Sequence, residues 1–414
     1  MSSVNNTPKG DALSLPKGWV ETTLGNLSAP KGGKRLPLGE SLVSSKTEHP
    51  YIRITDFNGN TINKQQLQFV PNEVFKSISK YIVNTNDVVI SIVGTIGLIA
   101  KIDKELNNAS LTENCVKLVD LKNIDASYLY YFLTSNLGQN EINKNTVGAV
   151  QKKLPIYGVQ NLIIRHPLLP EQKSIAAILT AFDDKIELLQ AQNNTLEETA
   201  QTIFKEWFGK YQIGDELPEG WGEGAIGDIL EIKRGASPRP IQDYLSDSGY
   251  RWLKISDATA TACPYIFNIK EHIKPEGLKN TVLKKVGDIV LSNSATPGMP
   301  KILAVDTCVH DGWMHFPSSK VSNEYLYLLF ISIRPNLVQQ GSGSVFTNLK
   351  TDILREYAIV IPPKNVFVDF DKLIKPVFNK ILINASQIQS LTQTRDELLP
   401  KLMSGEIRVN EFDR

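Results

Sequence analysis

The sequence contains two copies of one pattern, and this duplication limits the possible folds more than any other feature. LPKGWVETTLGNL (Leu15–Leu27) returns as LPEGWGEGAIGDI (Leu217–Ile229), and YIRITD (Tyr51–Asp56) returns as WLKISD (Trp252–Asp257). Further matches follow in the same order, at a spacing that shortens slowly along the chain. An ordered series of this kind predicts an internal duplication, with small deletions in the loops of the second copy.

Each copy has a strand-rich part followed by a helical part. Runs such as DVVIS (Asp87–Ser91) and DIVLS (Asp288–Ser292) are bounded by glycine, proline and asparagine, as is typical of short strands. Glycine is absent from 171–208 and from 365–403, which favours long helices. We therefore expect an α+β chain of two tandem mixed α/β domains, separated by two long helices.

The segment boundaries follow from these composition changes. We expect a flexible N-terminus at 1–14, a first domain at 15–168, a central helical spacer at 169–211, a second domain at 212–363, a C-terminal helical spacer at 364–404 and a tail at 405–414.

Each helical segment carries an apolar seam with the alternating four-three spacing of heptads. In the first segment the seam is Ile175, Leu179, Phe182, Ile186, Leu189, Asn193, Leu196, Ala200, Ile203 and Trp207. In the second it is Phe370, Ile374, Val377, Ile381, Asn384, Ile388, Leu391, Arg395, Leu398 and Leu402. A repeat of 3.5 residues over about four heptads favours a coiled coil. Two separate core helices are the alternative.

The duplication suggests a register for this coiled coil. Antiparallel pairing with full overlap places Ile175 opposite Leu402 and Trp207 opposite Phe370. Such a pairing would relate the two copies by a pseudo-two-fold axis.

Two asparagines and a proline bear on this pairing. The same register places Asn193 opposite Asn384, and a buried asparagine pair penalises shifted registers, which leave an amide unpaired. Pro376 is expected to kink the second helix or to start it afresh. Phe370 and Ile374 would then lie on a separate first turn.

Composition limits the class of protein. The 414 residues include 45 basic and 44 acidic side chains, so the formal net charge is +1. Three scattered cysteines argue against a disulfide framework or a CxxC zinc site. No apolar run is long enough to span a membrane, and the N-terminus lacks a secretory signal, so we expect a cytoplasmic protein.

Local charge identifies candidate DNA contacts. Basic residues follow the first strand in a loop of each copy, KGGKR (Lys31–Arg35) and KRG (Lys233–Gly235), where backbone can approach phosphate and arginine can reach bases. The candidate DNA-binding residues are Lys31, Lys34, Arg35, Arg53, Thr95, Gln151 and Lys152 in the first copy and Lys233, Arg234, Arg239, Lys254, Thr296, Ser344 and Thr347 in the second.

Each of these loops also has an ordinary structural explanation. The basic loops could be solvated surface turns, and GTIG (94–97) and ATPG (295–298) could be tight hairpins. The glycine loops at 146–153 and 341–350 could touch DNA or pack on the adjoining helix.

Motifs for catalysis are missing from the sequence. It has no ATP-binding P-loop, no GxGxxG after a strand, no adenine-methylation Asn/Asp-Pro-Pro-Tyr and no HExxH. Asp306, Cys308 and His310 alternate along a possible strand, but that spacing is a poor match to structural zinc sites. We therefore expect no catalytic residue, no metal and no cofactor. An enzyme with divergent motifs is an alternative that an activity assay would detect.

The doubled order of motifs resembles the specificity subunit of type I restriction–modification systems. The resemblance covers Leu15–Val409 and rests on LPKGW and LPEGW, YIRITDF and WLKISD, SIVGTIG, and PLLPEQKSIAAILTAFDDKIELL. It implies two target recognition domains, each reading one half of a bipartite sequence in double-stranded DNA, with the helices setting the gap. It also implies docking of two modification (adenine methyltransferase) subunits and two motor–nuclease subunits. The second helical segment departs from the pattern, since it begins PPKNVFVDFDKLIKP.

The helices are expected to supply both the spacer and a protein interface. The residues assigned to spacing or partner docking are Phe182, Ile186, Asn193, Phe204, Trp207, Asn384, Ile388 and Leu391. Ile178, Leu188, Phe204 and Phe208 are expected to face outward, toward a partner. The alternative function is a coiled-coil adaptor whose globular ends bind protein, which salt-dependent DNA binding would exclude.

Overall fold

The computed structural model describes residues 15–340 and 348–409, which belong to two compact units. Unit 1 comprises Met1–Lys185 and Leu391–Arg414, and unit 2 comprises Ile186–Ser390. Among the described helices, none combines the length and the apolar character needed to cross a membrane.

Unit 1 combines short strands with helices. Its strands are β1 (Val20–Thr23), β2 (Ala29–Gly32), β3 (Pro50–Ile52), β4 (Phe57–Asn58), β5 (Thr61–Ile62), β6 (Gln68–Phe69), β7 (Val88–Ser91), β8 (Ile99–Lys101), β9 (Ser110–Leu111), β10 (Cys115–Val119) and β11 (Ile163–His166). Its helices are α1 (Leu24–Leu27), α2 (Asn72–Ile78), α3 (Ala126–Thr134), α4 (Asn136–Asn145), α5 (Ile156–Gln160) and the first part of α6 (Leu169–Phe208).

Unit 2 repeats this composition. Its strands are β12 (Gly222–Ala225), β13 (Lys233–Arg234), β14 (Leu245–Ser246), β15 (Tyr250–Leu253), β16 (Tyr265–Ile266), β17 (Glu271–Ile273), β18 (Val282–Lys284), β19 (Ile289–Ser292), β20 (Pro300–Leu303), β21 (Thr307–Val309), β22 (Trp313–His315) and β23 (Ala358–Ile361). Its helices are the rest of α6, α7 (Ile226–Ile229), α8 (Ile255–Thr259), α9 (Asn323–Gln340), α10 (Thr351–Arg355) and most of α11 (Lys364–Ser404), whose end lies in unit 1.

Three sheets of unit 1 share their strand order with three sheets of unit 2. Unit 1 has the orders β2-β10-β7-β8, β6-β3-β9 and β1-β11. Unit 2 has β13-β22-β19-β20-β16, β14-β17-β15-β21-β18 and β12-β23, which contain the same orders with extra edge strands. The α+β class with two tandem mixed domains and two long helices is confirmed, and the shared topology is what a duplication predicts.

The central strands show why this sequence forms sheets. All four residues of β7 and of β19 are buried, and β-branched side chains fill three positions of β7 and two of β19. The turn before each strand contains a residue with positive φ, Asn86 at 71° and Gly287 at 89°. Asparagine and glycine tolerate this left-handed conformation, so the sequences place each turn at the start of its buried strand.

The predicted helix pairing is present in unit 2. The ring centroids of Trp207 and Phe370 are 5.8 Å apart, and those of Phe208 and Phe367 are 6.1 Å apart. Residue numbers rise on one helix as they fall on the other, so the helices are antiparallel. The register with Trp207 opposite Phe370 is confirmed.

The helix segments of unit 1 also pair. Ile175 and Leu402 belong to the same hydrophobic core, and a terminal nitrogen of Arg395 lies 2.6 Å from a carboxylate oxygen of Asp183. All the predicted seam residues of both helices are buried or half-buried. The seam therefore holds helices together within each unit.

The expectation of a fresh helix start at Pro376 is wrong, whereas its alternative, a kink, stays a prediction. Helix α11 is continuous from Lys364 to Ser404, so Phe370 and Ile374 lie on the same helix as the rest of the seam. Pro376 is exposed, whereas Phe370 and Ile374 are fully buried. Packing of the apolar face offsets the hydrogen bond that a helical proline removes.

Candidate nucleic-acid interface

The basic loop of unit 1 lies at one edge of the four-stranded sheet. Strands β2 and β7 are both antiparallel to β10, so their C-terminal ends meet its N-terminal end. The Gly33 amide donates to the Cys115 carbonyl (3.0 Å), and the Ile92 amide donates to the Asn114 carbonyl (2.8 Å). We call the loops that meet here, 31–35, 92–97 and 112–114, edge 1.

Unit 2 builds the same edge from its own strands. The Gly235 amide donates to the Trp313 carbonyl (2.8 Å), and the Asn293 amide donates to the Gly312 carbonyl (2.9 Å). The corresponding loops, 233–239, 293–298 and 310–312, form edge 2.

A glycine is required where each basic loop leaves its strand. A Cβ atom on Gly33 would lie 2.1 Å from the Thr112 carbonyl oxygen, and one on Gly235 would lie 2.3 Å from the His310 carbonyl oxygen. Both obstacles are backbone atoms in strand-bound turns, so they cannot rotate away. Glycine thus lets the loop cross directly over the neighbouring turn.

Edge 1 pairs an exposed arginine with a carboxylate. The Nε of Arg35 donates to Oε1 of Glu113 at 2.6 Å, and the Thr112 hydroxyl donates to Oε2 of Glu113 at 3.1 Å. The Arg35 side chain is 79% exposed. Burial alone would raise the pKa of Glu113, but hydrogen bonds from Arg35, from a backbone amide and from Thr112 bring it below the ordinary value.

Edge 2 contains the equivalent arrangement. Nη2 of Arg239 lies 3.0 Å from Oδ2 of Asp311, and the Ser237 hydroxyl donates to Oδ1 at 2.7 Å. The Arg239 side chain is 78% exposed. Burial would raise the pKa of Asp311, whereas the Ser237 hydrogen bond and the Arg239 charge hold it below the ordinary value.

The other basic side chains of the two loops make contacts different from those of Arg35 and Arg239. Lys31 lies 3.3 Å from an Asp120 oxygen, Lys233 makes an exposed ion pair with a glutamate, and Lys34 lies 6.0 Å from the Tyr81 ring centre. The guanidinium of Arg234 donates to the backbone carbonyl of Asp311, at 2.7 Å through Nη2. Arg234 therefore fixes the backbone of edge 2.

Arg53 and Lys254 stabilise turns at matched positions. The Arg53 amide donates to Oδ2 of Asp56 (2.8 Å), and its guanidinium pairs with the same carboxylate at 2.7 Å. The Lys254 amide donates to Asp257 (3.0 Å), while its ammonium pairs with Glu271 on β17. These side chains have a structural role in each unit, and DNA contact by them stays a prediction.

The two glycine turns are tight hairpins closed by a serine. In edge 1 the Ser91 hydroxyl donates to the Thr95 carbonyl (2.6 Å) and accepts from the Leu98 amide (2.9 Å). In edge 2 the Ser292 hydroxyl makes the same two bonds, to the Thr296 carbonyl and from the Met299 amide. Thr95 is exposed and Thr296 is half-buried, so Thr95 is the more accessible of the pair.

A further loop lies beside edge 1. Val147 and Lys153 exchange two backbone hydrogen bonds of 2.9 Å, and the Leu154 amide donates to the Ile92 carbonyl (2.9 Å). Gln151 and Lys152 are exposed at the tip of this loop. The candidates in the equivalent loop of the second copy, Ser344 and Thr347, lie outside the described residues.

The sequence did not identify Glu113 or Asp311 as part of the site. Each pairs with an arginine more than 70 residues earlier in the chain, a contact that depends on the sheet order. Alignment of the two copies could have identified these carboxylates, because Thr112-Glu113-Asn114 corresponds to His310-Asp311-Gly312.

The helical candidates fall into two groups. Phe182, Ile186, Asn193, Trp207, Asn384, Ile388 and Leu391 are buried or half-buried in the seam. The expectation that Phe204 and Phe208 face outward is wrong. Their ring centroids lie 5.5 and 5.0 Å from that of Tyr325 on α9, and Phe204 is only 6% exposed.

The other two residues expected to face outward, Ile178 and Leu188, differ in exposure. Ile178 is half-buried against the core of unit 1, whereas Leu188 is 51% exposed. Leu373 and Ile383 are further exposed apolar residues on α11.

The alternating polar residues of unit 2 have other partners. Asp306 forms an ion pair with Lys285 (2.7 Å), and Cys308 is fully buried on β21. Within 15–340 and 348–409 no group of three histidine, cysteine or acidic side chains could hold a metal ion.

Comparisons with known proteins place this architecture in context. The family model described as type I restriction modification DNA specificity domain matches residues 16–198 and again 218–393. The specificity subunit of the MjaIX type I restriction enzyme of Methanocaldococcus jannaschii is 26% identical over 309 residues, covering 69% of this chain and 70% of that protein. The MjaVIII specificity subunit of the same organism is 24% identical over 435 residues, covering 97% of this chain and 96% of the relative.

A solved structure shares the fold. The crystal structure of the type I restriction–modification S subunit from M. genitalium superposes with a TM-score of 0.61 at 17% identity. The match covers 94% of this chain and 98% of that chain. The likeness therefore extends over both units.

Proposed function

Because the chain belongs to the type I restriction–modification DNA specificity family, we propose that edges 1 and 2 each read one half of a split DNA sequence. The predicted resemblance to a specificity subunit is confirmed, and such subunits recognise DNA and are not catalytic. The finer assignment rests on one observation: each unit presents an exposed arginine from a glycine-hinged loop at the same edge of the same sheet.

The chemistry of the two edges suits duplex DNA. Arginine can donate two hydrogen bonds to the major-groove edge of guanine, and nearby lysines such as Lys34 and Lys152 can contact phosphates. The tight turns at 94–97 and 295–298 bring backbone to the same surface. We assign the half-sites to the domains predicted at 15–168 and 212–363.

The helices serve as spacer and docking surface in this proposal. Their seam is filled within the chain, and exposed apolar residues such as Leu188, Leu373 and Ile383 are available to partner subunits. The proposed partners are two adenine methyltransferase subunits and two motor–nuclease subunits, acting in the cytoplasm.

A selection experiment tests the assignment of the edges. The full chain, purified with the subunits that it retains, is incubated with randomised DNA duplexes, and the bound duplexes are sequenced. R35A should relax one half of the selected sequence and R239A the other, each by about 1–3 kcal/mol at one base pair.

Two further arginines provide matched controls. Arg165 pairs with Glu21 in a different sheet of unit 1, and Arg355 pairs with Asp352 on α10 of unit 2. R165A and R355A should leave both halves unchanged. Equal weakening on all sequences would assign Arg35 or Arg239 to phosphate, and salt-independent binding would favour the protein-adaptor alternative.

A further inference from the structure

The arginine–carboxylate pairs of the two edges contribute little to the stability of the fold. Both arginines are about four-fifths exposed, and exposed pairs of this kind contribute little to stability. Stability therefore does not explain why the arrangement occurs in both units.

The two pairs are also built by different routes. Glu113 and Asp311 occupy equivalent positions before β10 and β22, but Arg35 follows its glycine by two residues and Arg239 follows its glycine by four. Each carboxylate is nevertheless held by one arginine and one hydroxyl group, from Thr112 or Ser237. The partners are of the same kind, although the loops and the arginine nitrogens that make the contact differ.

An acidic group is unfavourable on a surface that only has to bind phosphates. A carboxylate at that surface repels the DNA backbone and lowers affinity for every sequence. Such a carboxylate can still improve discrimination between DNA sequences. Its repulsion of the DNA backbone is offset only on those duplexes where the arginine contacts its correct base.

The atoms used by each pair leave a donor fork for DNA. Arg35 uses Nε for Glu113, and its Nη1 and Nη2 make no hydrogen bond to the described part of the chain. Arg239 uses one hydrogen of Nη2 for Asp311, and its Nη1 makes no hydrogen bond to those residues, so Nη1 and the second hydrogen of Nη2 can form the same fork. A guanidinium fixed at one nitrogen has less freedom to lose when the remaining donors reach O6 and N7 of guanine.

We propose that Glu113 and Asp311 are positioning residues that determine specificity, each holding its arginine for one guanine of its half-site. This inference rests on the proposed function of edges 1 and 2. It predicts that neutralising either carboxylate changes which sequences are bound, in addition to how tightly they are bound.

The test uses the selection experiment with E113Q and D311N. E113Q should reduce the preference for guanine at one position of one half-site by about tenfold or more, the scale of one bidentate base contact. D311N should do the same in the other half-site only. Affinity for unrelated duplexes should rise in both variants.

Two other carboxylates control for the loss of charge alone. Asp120 pairs with Lys31 in unit 1, and Glu231 pairs with Lys233 in unit 2. D120N and E231Q should raise binding alike on all sequences and leave the preference at every position unchanged. If E113Q and D311N behave like these controls, the inference is wrong.

The arginine variants separate this failure from failure of the proposed function. If R35A relaxes a half-site and E113Q does not, edge 1 reads DNA without help from Glu113. If neither variant relaxes a half-site, the assignment of edge 1 itself is wrong. Unchanged thermal unfolding of E113Q and D311N would show that the loops are still folded.

Discussion

The side-chain amide of Asn384 donates to the side-chain oxygen of Asn193 at 3.0 Å, inside the helix pair of unit 2. The amide of Asn193 in turn donates to the Ile381 carbonyl at 3.3 Å. Both asparagines are buried, at 0% and 8% exposure. The two asparagines of the seam thus pair through the Asn384 amide, and a shift of register would remove this bond and leave buried amide groups without a partner in an apolar environment.

We expect the two asparagines to be strongly coupled. N193L or N384L alone leaves a buried amide group without its partner and should lower the free energy of unfolding by about 1–3 kcal/mol. The double variant removes both polar groups and should recover most of that loss. Urea denaturation of the four proteins in a double-mutant cycle measures the coupling, and additive effects would show that the pair does not set the register.

The two edge glycines should be intolerant of any side chain. G33A places a Cβ atom against a backbone oxygen, so edge 1 must shift, and selectivity for one half-site should fall together with stability. G32A is a matched control, because its Cβ would meet only a side-chain atom at 4.0 Å. Equal half-site selectivity in G33A and G32A would mean that the loop position is unimportant.

Lys301 should make the stability of unit 2 depend on pH. Its ammonium is almost fully buried and donates to the Thr261 (2.8 Å) and Cys263 (2.6 Å) carbonyls. Burial lowers the pKa of Lys301 from 10.5 to about 8. Between these values the unfolded chain binds more protons than the folded chain, so the folded state gains stability as pH rises.

The K301M variant tests this effect by denaturation at two pH values. The variant lacks the titrating group. The unfolding free energy of the wild type minus that of K301M should therefore be larger at pH 10 than at pH 7 by about 2 kcal/mol. If this difference in unfolding free energy is the same at both pH values, the pKa of Lys301 is not depressed in the folded state.

The helix register was predictable because its information is local and repeated. Heptad spacing gives the buried face of each helix, and the duplication gives two seams of equal length whose only asparagines then coincide. The outward assignment of Phe204 failed because a heptad pattern contains no information about Tyr325, which lies 121 residues later on a different helix. The expected helix start at Pro376 failed because the local cost of a proline inside a helix is outweighed by the tertiary packing of α11.

The candidate interface was predictable only in part. Basic loops with glycine are visible in the sequence, and both lie at equivalent sheet edges. The carboxylates that hold Arg35 and Arg239 are brought to them by strand order, which no local pattern encodes. The structural role of Arg53 was not visible in the sequence, because it depends on Asp56, which is only 1% exposed; DNA contact by Arg53 stays a prediction.

The spacer role of the helices predicts a change in the gap alone. Duplicating Leu189–Thr195 in α6 and Leu382–Ile388 in α11 adds one heptad to each helix and keeps the seam in register. Seven residues add about 10.5 Å of helix, which corresponds to about 3 base pairs of DNA. The selected sequence should keep both halves with a gap longer by that amount, and duplication in one helix alone should abolish selection. An unchanged gap would exclude the spacer role.

Recognition of a split sequence by the two edges can be measured by genome-wide sequencing of modified bases in the cells that carry this gene, with and without it. Without the gene, adenine methylation should disappear at one split motif, two short halves around a fixed gap, and R239A should restore methylation with only one half relaxed. An identical methylation pattern in both strains, with the partner subunits expressed, would exclude this function.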